Sequence, residues 1–134
     1  MRAHRLGGVA LLASLVGTVG CGSETATSPG SELISPVTVS WTGIIAPGGT
    51  ASRSFVANQS GTVTVTLTSS DAPLGIGIGV PRTATGGCRL TVSQVDAAGV
   101  SVSASADAGN YCVQLFDDGA VVSQAAFAVQ IVSP

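Results

Sequence analysis

Few side chains in this 134-residue chain could carry out a reaction. The acids are Glu24, Glu32, Asp71, Asp96, Asp107, Asp117 and Asp118. The cations are Arg2, Arg5, Arg53, Arg82 and Arg89, and there is no lysine. The single histidine, His4, lies in a basic opening that runs into an apolar stretch from Leu6 to Val19. That layout reads as a removable export signal. The stretch is shorter than the roughly 20 residues a membrane-spanning helix needs. With the signal gone, no imidazole remains to act as a general base or to hold zinc, and no lysine to form a Schiff base. Ser-His-Asp and Cys-His arrangements are excluded with them. Paired carboxylates, as in glycoside hydrolysis, remain open. The aspartates, however, sit where turns are expected, and turns favour Asp for backbone reasons. The expectation is no catalysis and no cofactor.

Thr18-Val19-Gly20-Cys21 closes this segment and opens a Gly/Ser/Thr/Pro stretch. It resembles the lipobox of bacterial lipoproteins, with Thr18 where leucine is usual. The resemblance implies that residues 1–20 are a signal peptide. It also implies that the Cys21 thiol becomes a diacylglyceryl thioether and that its new amino group is acylated (palmitate). Buried acyl carbons contribute about 0.8 kcal/mol each, and more than one chain gives stable anchoring. The alternative is an ordinary signal cut nearby and a free secreted domain. The location implied is the bacterial cell envelope, on the outer or cytoplasmic membrane, facing the periplasm or the exterior.

Residues 21–134 carry three arginines against seven acids, a net charge of −4. A nucleic-acid partner needs a basic patch, and three scattered arginines make none. With Cys21 assigned to lipid, Cys88 and Cys112 remain. A redox pair needs close spacing such as Cys-x-x-Cys, whereas small exported domains pair distant cysteines in oxidising compartments. A Cys88–Cys112 bridge is therefore expected. Its loop of about 25 residues would stabilise the fold by roughly 3.5 kcal/mol in the chain-entropy estimate.

Residues 21–35 hold too little apolar surface to pack and read as a flexible tether. Residues 36–134 then form one domain. From Pro36 the pattern has period two, the strand signal. Val37, Val39 and Trp41 alternate with Thr38, Ser40 and Thr42, and Val63, Val65 and Leu67 alternate with threonines. Pro47-Gly48-Gly49, Asn58–Gly61, Asp96–Gly99, Asp107–Asn110 and Asp117–Gly119 punctuate the chain as turns. Leu74, Ile76, Ile78 and Val80 are expected to face inward. Seven or eight short strands predict an all-β fold, an antiparallel β-sandwich of jelly-roll or immunoglobulin-like type. One conflict stands in this pattern. Cys88 has the parity of Leu90 and Val92, while Cys112 points away from Tyr111, Val113 and Leu115. The bridge therefore needs a strand end or bulge, which Gly86-Gly87 can supply.

Several motifs recur in a familiar order: Trp41-Thr42-Gly43 with Pro47-Gly48-Gly49, then Phe55, Gly61 to Leu67, Gly109 to Val113, and Phe127-Ala128-Val129. They resemble the pre-peptidase C-terminal type of β-sandwich over about residues 37–132. The resemblance implies an accessory module and not a catalyst. Some such relatives bind collagen, sugars or calcium. Their middle strand often carries aspartates where this chain has Leu74 to Val80, so neither a calcium role nor a ligand role is carried over.

The remaining candidates are surfaces. Gly75, Gly77 and Gly79 bare one strand face to a flat ligand or a second sheet, unless a bulky neighbour covers them. Phe116 has outward parity and is the aromatic best placed to stack on a sugar, whereas Trp41 and Tyr111 share parity with the core. Asp71, Asp96, Asp107, Asp117 and Asp118 would hold calcium only if loops from one end converged. No metal site is expected. The function expected is a binding or adhesion module for an extracellular polymer or partner protein. The alternative is a structural envelope component with no small ligand.

Overall fold

The structure, a computed structural model, describes residues 35–96 and 98–134. The readings placed on residues 1–34, Cys21 among them, lie outside the described residues. Eight strands follow one another: β1 (Val37–Ile45), β2 (Thr50–Ala57), β3 (Gly61–Ser70), β4 (Leu74–Pro81), β5 (Cys88–Asp96), β6 (Ser101–Ala106), β7 (Gly109–Phe116) and β8 (Ala125–Ser133). They form two four-stranded sheets, in the orders β1-β8-β3-β6 and β2-β7-β4-β5. Every pairing is antiparallel: β1 with β8, β2 with β7, β3 with β6, β4 with β5, and across these β3 with β8 and β4 with β7. The chain is thus one long hairpin, folded back at β4–β5 and rolled into two layers. That nesting is a jelly roll; the immunoglobulin arrangement distributes its strands differently.

Alternation decides what lies between the layers. Val63, Val65 and Leu67 of β3 and Phe127, Val129 and Ile131 of β8 are buried from one sheet. Leu74, Ile76 and Ile78 of β4 and Val113 and Leu115 of β7 are buried from the other. Trp41 and Tyr111 pack against this cluster, as their parity predicts. Among the described residues no buried side-chain polar atom lacks a hydrogen-bond partner.

Two bulges interrupt the ladders. β3 gains Thr68 against β8, and β5 gains Thr91 against β4. In each case the hydroxyl of the extra threonine donates across the gap. Thr68 Oγ1 reaches the Ala128 carbonyl at 3.0 Å and Thr91 Oγ1 the Ile78 carbonyl at 3.1 Å. The side chain thus supplies a donor where the backbone ladder skips a pair.

The bulge at Thr91 also resolves the parity of the cysteines. Val92 pairs with inward-facing Ile78, but Leu90 pairs with Gly79, whose other partner is Cys112. Cys88 and Cys112 therefore share the outer face, and they form a disulfide. The irregularity sits inside β5, and not at Gly86-Gly87, which form the preceding turn with positive φ. The bridge joins β5 to β7 although β4 runs between them, with Cα atoms 5.8 Å apart. This crossing lays the Arg89 backbone directly on Gly79.

Candidate functional site

Because the strands alternate in direction, every turn falls at one of two ends. The β1–β2, β3–β4, β5–β6 and β7–β8 connections share what we call the far end. The start of β1, the end of β8, and the β2–β3, β4–β5 and β6–β7 connections share the near end.

Asp71, Asp96, Asp117 and Asp118 lie at the far end. Asp117 is a latch between two turns. Its Oδ2 accepts the Gly48 N–H at 2.8 Å, and its Oδ1 accepts the N–H groups of Gly119, Ala120 and Val121 at 2.9, 2.8 and 3.0 Å. The Gly48 bond, with the other three, holds this carboxyl below the ordinary aspartate value of 3.8. A depressed folded-state pKa adds stability that is present above the unfolded value and is lost as pH falls through the folded one. Asp117→Asn keeps one acceptor but places an N–H₂ against Gly48. We expect it to lower the urea midpoint at pH 6 and to flatten the decline between pH 6 and pH 3. Parallel pH profiles for the two proteins would refute this role.

Asp71 forms a second latch. Its N–H donates to the Ala126 carbonyl at 3.1 Å, and its Oδ2 accepts the Ala126 N–H at 3.0 Å. Asp107 lies at the opposite, near end, where its Oδ1 accepts the Ser60 hydroxyl at 3.1 Å. The Tyr111 hydroxyl ties this turn, bonding the Asp107 N–H and carbonyl at 3.1 and 3.0 Å. The convergence that calcium would need does not occur. Asp107 is a strand length away from Asp71, Asp117 and Asp118, and the Asp117 carboxylate is filled by N–H donors. No group of three metal-ligating side chains exists among the described residues.

The glycine row is not an open face. The Phe116 ring lies on Gly75, the Leu90 side chain on Gly77, and the Arg89 backbone on Gly79. Phe116 does point outward, but it is half-buried on Gly75. It therefore works as a lid over bare backbone. Sequence parity placed Phe116 on the correct face, but it grouped Leu90 with Val92, and only the bulge at Thr91 turns Leu90 to the outer face; the cross-strand register that stacks both over β4 has no local signal.

The polar surface that sequence reasoning did not single out is the outer side of β3 and β6. Thr62, Thr64 and Thr66 oppose Ser105, Ser103 and Ser101. Thr64 bonds Ser103 at 3.0 Å and Thr66 bonds Ser101 at 2.7 Å. The track runs into a near-end hollow of about 470 Å³ lined by Ser60, Thr62, Ser105 and Asp107. The alternation of β3 signals its half of the track; the matching serines of β6 are visible only once the register is known. A second near-end hollow, of about 460 Å³, is lined by Arg82, Arg89, Thr83 and Thr85.

No family model matches the sequence, and no curated protein matches it either. Solved structures do resemble the domain. Aeromonas hydrophila PliG, a periplasmic lysozyme inhibitor of g-type lysozyme, superposes with a TM-score of 0.55 at 15% identity. The match covers 73% of this chain and 88% of that one. The Yersinia pseudotuberculosis-derived mitogen gives 0.49 at 12% identity, over 74% and 87% of the two chains. At these identities the likeness to PliG is one of fold alone.

Proposed function

We propose that this chain is a non-catalytic envelope module, lipid-anchored through Cys21, that binds an uncharged, hydroxyl-rich polymer along β3 and β6. The observation that carries this reading is the hydroxyl track and the hollow it enters. No residue of β1, β3, β6 or β8 is charged, so this face has no Coulombic preference for an ionic partner. Thr62 and Ser105 oppose each other at the hollow without bonding to one another. Among the described residues, neither hydroxyl nor Asp107 Oδ2 has a hydrogen-bond partner, so all three can serve a ligand. This set suits the hydroxyls of a neutral glycan. The resemblance to accessory modules of the pre-peptidase C-terminal type supports the non-catalytic part of this reading.

The test is titration calorimetry of the purified protein against a panel of neutral polysaccharides, with Asp107→Ala/Ser105→Ala as the comparison. Saturable binding to a member of the panel is expected. Losing two or three hydrogen bonds should weaken it by about tenfold or more, with a urea midpoint lowered only slightly by loss of the exposed Ser60–Asp107 bond. Absence of saturable binding across the panel would overturn the proposal and leave a purely structural envelope component.

A further inference from the structure

Two of the three arginines beyond residue 20 lie together at the near end. Arg82 directly follows β4 and Arg89 stands one residue inside β5, and both line the same hollow, with no acidic side chain among the described residues of its wall. Neither guanidinium has a carboxylate partner among the described residues. Their mounting is rigid. The Arg82 N–H donates to the Gly87 carbonyl at 3.1 Å and closes the loop. The next residue, Cys88, is fixed to β7 by the disulfide.

Charge is divided between the ends. Among the described residues, Asp71, Asp96, Asp117 and Asp118 occupy the far end with no arginine, and Asp107, bonded to Ser60, is the acid at the near end. β1 also begins at the near end, where Val37 pairs with Ser133. Residues 22–34 therefore join the domain on the side of the arginines. Fully drawn out, they reach about 45 Å. A chain lipidated at Cys21 would thus attach at the arginine end, with the four aspartates roughly 30 Å away along the strands, the length of a nine-residue strand.

We propose that Arg82 and Arg89 bind phosphate groups of anionic phospholipids in the membrane that anchors the chain, so that the domain docks with its near end on the bilayer. This rests on the lipid-anchor reading of Cys21. The planar guanidinium fork matches phosphate oxygens in pairs, and Thr83 and Thr85 add hydroxyl donors at the same hollow. An anionic surface attracts each arginine near it and repels the aspartate end, which fixes orientation as well as contact.

The experiment uses the lipidated protein in nanodiscs of phosphatidylglycerol and phosphatidylcholine in equal parts, with a headgroup spin label. Amide signals of Thr83 to Gly87 should broaden and those of Gly119 to Val121 should not. In Arg82→Gln/Arg89→Gln the near-end broadening should fall several-fold, since two arginines at a charged surface contribute roughly 30-fold to the docking equilibrium. Equal broadening at both ends, or no change in the double variant, overturns the proposal. Soluble glycerol phosphate is titrated without discs as a second arm. Tight, arginine-dependent binding there, with no disc effect, identifies a site for a free phosphoester and also overturns it. The mass of the Cys21 peptide tests the anchor separately. An unmodified Cys21 refutes the anchor, while discs added to that protein still report on the arginines.

Discussion

Gly79→Val is expected to leave Cys88 and Cys112 as free thiols and to cost the domain about 5 kcal/mol. The physical reason is a backbone-on-backbone crossing. A Cβ at Gly79 would overlap the Arg89 carbonyl oxygen and stand 2.5 Å from its carbon and 2.8 Å from Leu90 Cα. No side-chain rotation relieves such a contact, because main chain meets main chain. To make room, the start of β5 must lift away from β4, and Cys88 leaves with it. The protein then loses the roughly 3.5 kcal/mol of the closed loop and keeps an overpacking penalty of about 1–3 kcal/mol. That is a large share of the 5–15 kcal/mol typical of a domain. Thiol titration of oxidatively refolded protein and a urea unfolding curve measure both parts. The double variant Cys88→Ala/Cys112→Ala should lose the loop contribution alone. In that background Gly79→Val should cost less than in the wild type, since β5 is free to shift. A Gly79→Val protein with its disulfide intact and its urea midpoint unmoved would refute the account.

Phe127→Ala should destabilise the domain by about 3–5 kcal/mol, the usual range for emptying a buried phenylalanine site. Phe127 is 4% exposed on β8, which lies between β1 and β3. Its ring meets Trp41 edge-on, with centroids 5.0 Å apart and planes at 78°, an arrangement that adds to simple area burial. It also fills the space over Gly43, where a Cβ would stand 2.6 Å from Phe127 Cζ. Gly43→Ala alone should therefore destabilise. Combined with Phe127→Ala, the same methyl enters vacated space and should become neutral or stabilising. A double-mutant cycle reads this as a coupling of about 1–3 kcal/mol. Additive losses would show that the ring does not occupy that space.

The strands were legible because their signal is local. Val63, Val65 and Leu67 set against threonines can lie only one way on a half-wet sheet. The pairing of Cys88 with Cys112 was legible from their number and spacing. What the sequence hides depends on register. Thr68 and Thr91 are extra residues in strands already rich in threonine, so nothing nearby marks them as bulges. Phe116 and Leu90 cover Gly75 and Gly77 only because β7 and β5 flank β4, and no neighbour in sequence reports that. The same holds for Arg82 and Arg89, on opposite arms of one hairpin. The parting of Asp107 from Asp71, Asp117 and Asp118 was closer to hand. Eight strands running alternately up and down place their turns at two ends, and counting them separates those aspartates. The Asp117 latch was half visible as a turn residue, but its reach to Gly48 across two connections was not.

The nested pairing has a consequence for biogenesis. β4 and β5 can zip as soon as both leave the ribosome, but β1 has no partner until β8 arrives. Each outer pair must close a longer loop than the one inside it, and such long-range closure is slow. β8 also supplies the link between β1 and β3, so a nascent chain lacking it has half of one layer unassembled. The inner hairpin can thus form early, while the two-layered core closes only once the last strand is made.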